Sequence, residues 1–485
     1  MILRIPCSLL VVALAACSAP NTGTGGGEGG AAGGGGEGGG DAASGGGNAA
    51  GGGNAAGGGA GGGSSAGGGT GSVHTGTYPD SSGGTNGTHP QLIIDSAGVR
   101  HMAYETIDSI GTAYPVRYGE CAADCINNTS WKWASIGDRG LFGNNARLAL
   151  NAAGKPRMIW AKADLIDDPQ QLQYASCDTG CTTAANWTIA TFITLPKIQR
   201  LSGSPGRTLA VDGAGRLHFL YFTSSALNYI SCGSNCTAAG SWDAPVVLVT
   251  ESGRASIAVS PTGQVRVAYT TYPDPFLSYR SCESNCTVAA NWAAELGLYF
   301  SGAGLVAIRL DAQGHPRIMY NQENSQQPTS TTNFQPLYAT CDAACNTAGG
   351  WQAASIGLVY GDGVKGLDFQ LDDTGKPVAA MLMNDTTLGI VRCTNNCTAG
   401  MGASWTVARV ESSESLEAEL KALRPSCPVN KAPIAYWYPG EQASLAIHPT
   451  TKLAEVAHRA TTLQKCGGSG NAIDGPSVAR YSGGF

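Results

Sequence analysis

One phrase of the sequence recurs so regularly that it constrains the fold before composition is considered. A tyrosine, two cysteines separated by three residues, and a tryptophan six residues after the second cysteine occur together five times. A sixth copy carries two additional residues before its tryptophan. The six tryptophans are Trp131, Trp187, Trp242, Trp292, Trp351 and Trp405. Because self-similarity at a regular spacing marks an array of equivalent units, we expect one repeated supersecondary unit.

A second phrase precedes each cysteine pair and consists of an apolar stretch, a tight turn ending in glycine, and another apolar stretch. Its third copy reads L-A-V-D-G-A-G-R-L-H-F-L-Y and ends at Tyr221. A further step of about 55 residues leads to N-K-A-P-I-A-Y-W-Y at Asn430, which repeats the phrase without its glycine. The turn glycines, which are 48 to 61 residues apart, are Gly98, Gly154, Gly215, Gly263, Gly314 and Gly375.

Each repeated unit reads as four short strands. In the third unit they are R-T-L-A-V, R-L-H-F-L-Y, L-N-Y-I-S and W-D-A-P-V-V-L-V, and no helical periodicity competes with them. A period near 50 residues with four strands per unit is typical of a β-propeller. We therefore predict an all-β fold, a seven-bladed propeller of four-stranded antiparallel blades over residues 86–466, with a tail at 467–485. Because the last unit is degraded, six or eight blades remain compatible with the sequence.

The N-terminus has the pattern of an export signal. One positive charge precedes a short apolar run from Ile5 to Ala13, and L-A-A-C follows at Leu14–Cys17. This stretch resembles a bacterial lipobox, which implies removal of residues 1–16 and lipidation of Cys17; the alternative is an ordinary secretory signal. Because Ser18 follows the cysteine where an Asp would retain the protein in the inner membrane, we expect an outer-membrane lipoprotein facing the periplasm or the cell surface.

Residues 17–85 are predicted to form a disordered tether behind the lipid anchor. Gly, Ala, Ser, Thr, Asn and Glu dominate this segment, and the chain as a whole contains 70 glycines. Such a composition offers almost no apolar surface to bury, so it cannot offset the entropy lost on ordering. We expect the segment to hold the folded part of the chain away from a membrane surface.

The cysteine pairs are predicted to form local disulfides, because an exported chain encounters an oxidising compartment. A zinc site would need four ligands meeting at one point, and the pairs belong to separate blades. We expect no metal and no cofactor, and we expect the tryptophan after each pair to fill the wedge between blades. The predicted bridges are Cys121–Cys125, Cys177–Cys181, Cys232–Cys236, Cys282–Cys286, Cys341–Cys345, Cys393–Cys397 and Cys427–Cys466, while Cys7 leaves with the signal.

The disulfide turns resemble a feature of sialidase-like propellers. Those proteins carry an Asp-box turn, S-x-D-x-G-x-x-W, between the third and fourth strands of a blade. Here the tryptophan is present and a disulfide loop stands in place of the aspartate-stabilised turn. The resemblance implies a propeller of that architecture and an alternative function as a glycoside hydrolase or polysaccharide lyase. The arginine motif of sialidases occurs only as Arg4–Pro6, within the predicted signal.

No catalytic constellation emerges from the sequence. The seven histidines form no metal-binding pattern, and no nucleophile elbow or phosphate loop occurs. Tyr104 and Glu105 are adjacent, so in a strand they would point to opposite faces. The net charge of −6 argues against nucleic acid as a partner, since binding it requires a basic face.

Function is expected on the face where the loops vary. Turns one-to-two and three-to-four keep their length in each unit, whereas strand two-to-three and inter-blade loops vary and emerge on the opposite face. Candidate ligand contacts precede inner strands at Arg147, Arg207, Arg254 and Lys365, with His89 in a comparable place. We expect a binding module for a glycan or protein partner; the alternatives are the enzyme implied by the resemblance and a structural envelope protein.

Overall fold

The architecture was derived from a computed structural model, which describes residues 76–485 with gaps. The gaps lie at 81–86, 107–112, 166–167, 197–206, 224–225, 251, 272–275, 299–302, 324–333, 358–365, 384–386, 400–403, 413–415, 417–436 and 463–476. The predicted signal, Cys17, most of the tether, Lys365 and the Cys427–Cys466 pair lie outside the described residues. Within the described part of the chain, no helix has the length and hydropathy needed to cross a membrane.

The first four blades are four-stranded antiparallel sheets in which neighbours in sequence are neighbours in space. Blade 1 contains β1 (Gly87–Ile94), β2 (Arg100–Thr106), β3 (Pro115–Cys121) and β4 (Lys132–Asp138). Blade 2 contains β5 (Asn144–Leu150), β6 (Pro156–Lys162), β7 (Gln170–Ser176) and β8 (Thr188–Leu195). Blade 3 contains β9 (Leu209–Val211), β10 (Leu217–Thr223), β11 (Ala226–Cys232) and β12 (Val246–Thr250). Blade 4 contains β13 (Ser252–Val259), β14 (Val265–Thr271), β15 (Leu277–Cys282) and β16 (Leu296–Gly297).

The remaining blades complete the predicted number of seven. Blade 5 contains β17 (Ala303–Leu310), β18 (Pro316–Glu323), β19 (Phe334–Cys341) and β20 (Trp351–Ser355). Blade 6 contains β21 (Leu367–Leu371), β22 (Pro377–Leu382), β23 (Leu388–Cys393) and β24 (Trp405–Glu411). Blade 7 contains β25 (Trp437–Ile447), β26 (Ala454–Thr462) and β27 (Ser477–Gly483). One-turn 3₁₀ helices follow the second cysteine of blades 1–5 at Asn128–Ser130, Ala184–Asn186, Ala239–Ser241, Ala289–Asn291 and Ala348–Gly350.

The first strand of every blade lies at the centre of the molecule. Each inner strand contacts the inner strand of both neighbouring blades, and β25 contacts β1, so seven inner strands form a closed ring around a channel. We call the end of the channel where the inner strands begin the mouth, and the end where they turn into the second strand the turn face. The predicted fold is confirmed, and the second strand of each blade ends at the mouth.

The ends of the propeller differ from the prediction. The segment predicted as a tail contains β27, the third strand of blade 7, and Thr77 forms a bridge to Tyr481 on its outer edge. Thr77 N donates to Tyr481 O at 2.8 Å, and Tyr481 N donates to Thr77 O at 3.0 Å. The predicted limits at residues 86 and 466 were therefore too narrow. These two segments contain neither the cysteine phrase nor the glycine phrase, so the repeats did not reveal them. They lie far apart in the sequence and pair with each other in the fold.

The repeated phrase forms the contacts between blades. The tyrosine of one copy packs edge-on against the tryptophan of the next blade, with ring centroids 5.0–6.0 Å apart in Tyr118–Trp187, Tyr174–Trp242, Tyr229–Trp292, Tyr279–Trp351 and Tyr338–Trp405. Tyr481 of blade 7 packs against Trp131 of blade 1 in the same way, at 5.4 Å. Such pairs stabilise an interface beyond the area they bury. The predicted role of the tryptophans as wedges between blades is confirmed.

Disulfides close the turns that present these tryptophans. All six predicted bridges from Cys121–Cys125 to Cys393–Cys397 are formed, with Cα atoms 5.6–5.8 Å apart. In blades 1–5 the indole Nε1 donates to the carbonyl of the second cysteine at 2.7–2.9 Å. In blade 6, where the loop is two residues longer, Trp405 Nε1 has no partner within the described part of the chain. The C-x-x-x-C spacing thus positions one indole per blade.

Candidate functional site

A ring of polar side chains joins the inner strands four residues before each turn. We call this ring the girdle; its polar members are Gln91, Arg147, Thr208, Ser256, Asp368 and Ser444, and blade 5 has Ala307 at the equivalent position. Four members accept a backbone N–H of the next blade, in the pairs Gln91–Leu148 at 2.7 Å, Ser444–Leu92 at 3.0 Å, Asp368–Leu445 at 2.8 Å and Ser256–Ile308 at 3.2 Å. The girdle therefore satisfies backbone groups that the gap between blades would leave unpaired.

Arg207 spans the channel at the level of the girdle. It extends from blade 3, and its Nη2 donates to Leu445 O at 2.8 Å and lies 3.4 Å from Leu92 O. The same nitrogen lies 3.6 Å from Asp368 Oδ2 of blade 6, whose other oxygen accepts a short hydrogen bond from Arg309. Two guanidinium groups thus share one carboxylate that is 1% exposed. This part of the channel carries a net positive charge.

A histidine–glutamate pair lies at the mouth between blades 7, 1 and 2. His89 Nδ1 is 2.6 Å from Glu105 Oε1, and the two side chains are 15% and 1% exposed. The carboxylate accepts the Nδ1 proton, so Nε2, which has no hydrogen-bond partner among the described residues, keeps its lone pair. Burial lowers the pKa of His89 more than Glu105 raises it, and Arg147 and Arg459 lower it further. The imidazole is therefore neutral at pH 7.

Burial alone would raise the pKa of Glu105. The opposing effects of His89, Arg139 and a backbone hydrogen bond from Asn145 outweigh it and hold the pKa of this carboxyl below its usual value. Glu105 is thus an ionised carboxylate with almost no contact with solvent. It orients the imidazole, in the way that a buried carboxylate fixes the tautomer of a histidine in many active sites.

Three non-glycine residues at the mouth have left-handed backbone conformations. They occupy the same bulge in three adjacent blades: Gln442 of blade 7 with φ 51°, His89 of blade 1 with φ 51° and Asn145 of blade 2 with φ 60°. Gln442 Oε1 accepts hydrogen bonds from the His89 backbone N–H at 2.7 Å and from Thr88 Oγ1 at 2.9 Å. Such conformations are unfavourable and cluster at functional sites. The bulge is a repeated device that places polar side chains at the channel mouth.

Arg254 differs from the other inner-strand arginines because no carboxylate among the described residues acts on it. It is half-buried, and its Nη1 is shielded from solvent without a hydrogen-bond partner among the described residues. Burial lowers the pKa of Arg254 to about 10, and no carboxylate contributes to the shift. Ser256, which lies two residues further along the same strand, belongs to the girdle. Because side chains alternate between the two sides of a strand, Arg254 lies on the same side as Ser256 and nearer the mouth.

The predicted ligand contacts lie at different depths. Arg147 is 2% exposed and donates to Thr208 Oγ1 at 3.1 Å, so it belongs to the girdle and is not presented at a rim. Arg207 spans the channel, Arg254 approaches the mouth, and Lys365 lies outside the described residues. Burial lowers the pKa of Arg147 to about 10, against the opposing effect of Glu105. A ligand-binding role for any of the four remains a prediction.

Comparison with solved structures finds sialidase-like propellers as structural neighbours. An ulvan lyase of polysaccharide lyase family 25 has a TM-score of 0.48 at 11% identity, over 84% of this chain and 94% of that one. The GH93 α-L-arabinofuranosidase of Fusarium graminearum has a TM-score of 0.41 at 9% identity, over 84% and 96%. A variant of NanB sialidase from Streptococcus pneumoniae has a TM-score of 0.42 at 9% identity, over 66% and 67%.

At these identities and scores, the similarity carries no argument about the chemistry of this chain. No protein-family model matches the sequence, and neither does any curated protein.

Proposed function

We propose that this protein binds an acidic glycan at the channel mouth, with Arg254 and His89 as direct contacts. The observation that carries the proposal is the guanidinium of Arg254, which is half-buried without a carboxylate partner in the described part of the chain. Removing a charge from water without pairing it is costly, so such a group is expected where an anionic ligand completes the pair. The planar guanidinium suits the two oxygens of a carboxylate or sulfate.

The opposite side of the mouth supplies uncharged hydrogen-bonding groups. His89 presents Nε2, and the amide nitrogen of Gln442, whose Oε1 accepts from blade 1, makes no hydrogen bond within the described part of the chain. A few polar groups held in fixed positions at a concave surface are typical of a site that orients a small ligand. The acceptor on His89 and the donors on Gln442 match the hydroxyl groups of a sugar, while Arg254 matches its acidic substituent.

The proposal is tested by calorimetric titration of the protein with an oligosaccharide of glucuronic acid. Replacing Arg254→Gln should cost about 1.5–3 kcal/mol of binding free energy, which is at least tenfold in Kd. The matched control is Arg216→Gln, because Arg216 is paired with Asp243 at 2.6 Å and follows a turn on the opposite face. Equal losses in the two variants, or equal binding of a neutral glucose oligosaccharide, would contradict the proposal.

A second candidate function, elimination on a uronate-containing polysaccharide, is favoured by the His89–Glu105 pair. A neutral imidazole whose Nδ1 donates to a buried carboxylate is arranged to accept a proton at Nε2. In elimination, Nε2 takes the C5 proton, the C4=C5 double bond forms, and the C4–O bond to the next sugar breaks. The departing oxygen keeps the electron pair of that bond and takes up a proton from water. A positive charge at Arg254 would offset the charge that develops on the uronate carboxylate.

The two candidates are separated by following ultraviolet absorbance of the unsaturated product during incubation with a uronate polymer. Elimination predicts a steady rise that His89→Gln abolishes while Arg216→Gln preserves it. If the wild-type protein binds the polymer without any rise, it is a binding protein and the pair at the mouth serves recognition alone.

We also propose that lipidated Cys17 and the tether hold the propeller at the outer membrane of a bacterium. This rests on the L-A-A-C stretch and on the glycine-rich composition that follows it. Cell fractionation of Cys17→Ser tests it, since the variant should be released from membranes. Retention of the variant with the wild-type protein would contradict lipid anchoring.

A further inference from the structure

A second cavity occupies the other end of the channel. It has a volume of about 330 Å³ and opens at the turn face. Its walls come from the last residues of the inner strands of blades 1, 6 and 7, including Ile94, Leu371 and Ile447, and from the turns that carry Asp373 and Lys452. This size lies at the lower end of the range seen for small-molecule sites. His89 lies at the start of β1 and Ile94 at its end, so the cavity is separate from the mouth.

Arg207 forms the base of this cavity. Its Nη2 makes the contacts to Leu445, Leu92 and Asp368, and its side chain is 22% exposed. Nε and Nη1 make no hydrogen bond within the described part of the chain, so they remain free to donate. Because Arg207 and Arg309 share the single negative charge of Asp368, this group of three side chains keeps one net positive charge. The base of the cavity is thus an anion-binding group supported by a rigid ring of strands.

The walls above Arg207 combine apolar side chains with the polar side chains of Gln370 and His448. Ile93, Ile94, Leu371 and Ile447 are each only partly buried, and they surround the guanidinium on the side of the turn face. At the rim, Lys452 Nζ pairs with Asp373 Oδ2 at 3.0 Å, so these charges cancel. A small anionic head on Arg207 and a short apolar body against the isoleucines match these two parts of the lining.

We propose that the turn-face cavity binds a small organic carboxylate, with its carboxylate on Arg207 and its apolar body between Ile94 and Ile447. This binding site is independent of the proposed glycan site at the mouth. A short fatty acid and the C-terminal residue of a peptide both present this chemistry. The experiment therefore includes one probe for each source.

Calorimetric titration of the full-length protein with hexanoate and with N-acetyl-leucine tests the proposal. The neutral counterparts are hexanol and N-acetyl-leucinamide, which keep the apolar body and lack the negative charge. At least one of the two carboxylates should bind about tenfold more tightly than its counterpart. Binding of hexanoate alone indicates a fatty-acid-type ligand, and binding of N-acetyl-leucine alone indicates a peptide C-terminus.

Two variants and one control assign the binding to this cavity. Arg207→Met should weaken carboxylate binding at least tenfold, and Ile447→Trp, which fills the cavity and leaves Arg207 in place, should do the same. Arg216→Gln, in the same blade as Arg207 and outside the channel, should bind as the wild type does. If circular dichroism shows that Arg207→Met does not fold, the result for Ile447→Trp decides the test. Absence of carboxylate binding, equal binding of the neutral compounds, or wild-type binding by Ile447→Trp would overturn the proposal.

Discussion

Blades 1–6 and blade 7 reach the same shape by different interactions. In the first six, a disulfide turn presents a tryptophan to the tyrosine of the preceding blade. Blade 7 instead joins blade 6 through a buried charge cluster: Arg480 Nη2 lies 2.8 Å from Glu411 Oε1, and His458 Nε2 lies 2.9 Å from Glu411 Oε2. The same cluster binds the backbone of Gly76 at both its N–H and its carbonyl.

This difference shows that the propeller needs specific partners most at blade 7, where the ring closes. Blades that follow one another in sequence are adjacent through short connections, so apolar wedges are sufficient to pack them. Blade 7 must join the two distant ends of the chain, and entropy opposes this closure more strongly. A buried charge cluster tolerates few alternative partners, which suits it to selecting the correct end. It is a weaker source of net stability than a well-packed apolar contact.

The largest effect is expected from breaking this cluster. Glu411→Gln should lower the free energy of unfolding by about 3–5 kcal/mol, because it removes the carboxylate that pairs with the buried Arg480 and His458. Urea unfolding followed by tryptophan fluorescence measures the change. Asp373→Asn is the control, since its partner Lys452 is 52% exposed and the pair should contribute less than about 1 kcal/mol. If both variants lose a similar free energy of unfolding, the buried cluster contributes no more than an exposed ion pair, which would contradict the prediction.

Low pH should weaken the same contact between blades 6 and 7. Burial alone would raise the pKa of Glu411, but Arg480 and His458 outweigh it and lower the pKa far below its usual value. A carboxyl with a depressed folded pKa stabilises the fold fully above its unfolded pKa of about 4.3, and this contribution is lost as the pH falls toward the folded value. Stability measured between pH 7 and pH 3 should therefore fall less in Glu411→Gln than in the wild type. Parallel curves would contradict this assignment.

A smaller difference in stability is expected between tryptophan variants of blade 3 and blade 6. Trp242→Phe removes the indole N–H that donates to Cys236 O at 2.9 Å, whereas Trp405 makes no such bond within the described residues. Trp242→Phe should therefore cost about 1–2 kcal/mol more than Trp405→Phe, because a buried carbonyl loses its partner. Equal costs from chemical denaturation would show that ring packing alone determines the contribution of each tryptophan.

The smallest effect concerns the disulfide turns. The residue before the second cysteine has a left-handed backbone in blades 1–5: it is Gly180 in blade 2, and Ala344 occupies this conformation with φ 54° in blade 5. Ala344→Gly should raise the free energy of unfolding by about 0.5–1 kcal/mol by relieving the strain on the alanine Cβ. Ala343→Gly, one residue earlier, should give no gain. A loss at position 344 would show that the turn relaxes around alanine.

The repeats predicted the parts of the molecule that depend on neighbouring segments. Blade number, strand order, the six local disulfides and the wedge role of the tryptophans follow from spacing within one unit or between successive units. Charge pairs between blades were missed, such as Arg207 with Asp368 across the channel and Glu411 with Arg480 between blades 6 and 7, because they depend on how the ring closes. His89 and Glu105 were visible individually, and only the bulge in β1 brings them together.

The blade comparison also bears on function. Gln442 of blade 7 holds His89 of blade 1, so the irregular blade borders the proposed site. The most direct test of the central claim is a crystal structure of the protein with a glucuronic acid oligosaccharide. We expect ligand density at the channel mouth, with the uronate carboxylate on Arg254 and a sugar hydroxyl on His89 Nε2. Density confined to the outer strands of the blades, or a mouth left empty while the oligosaccharide binds elsewhere, would contradict it.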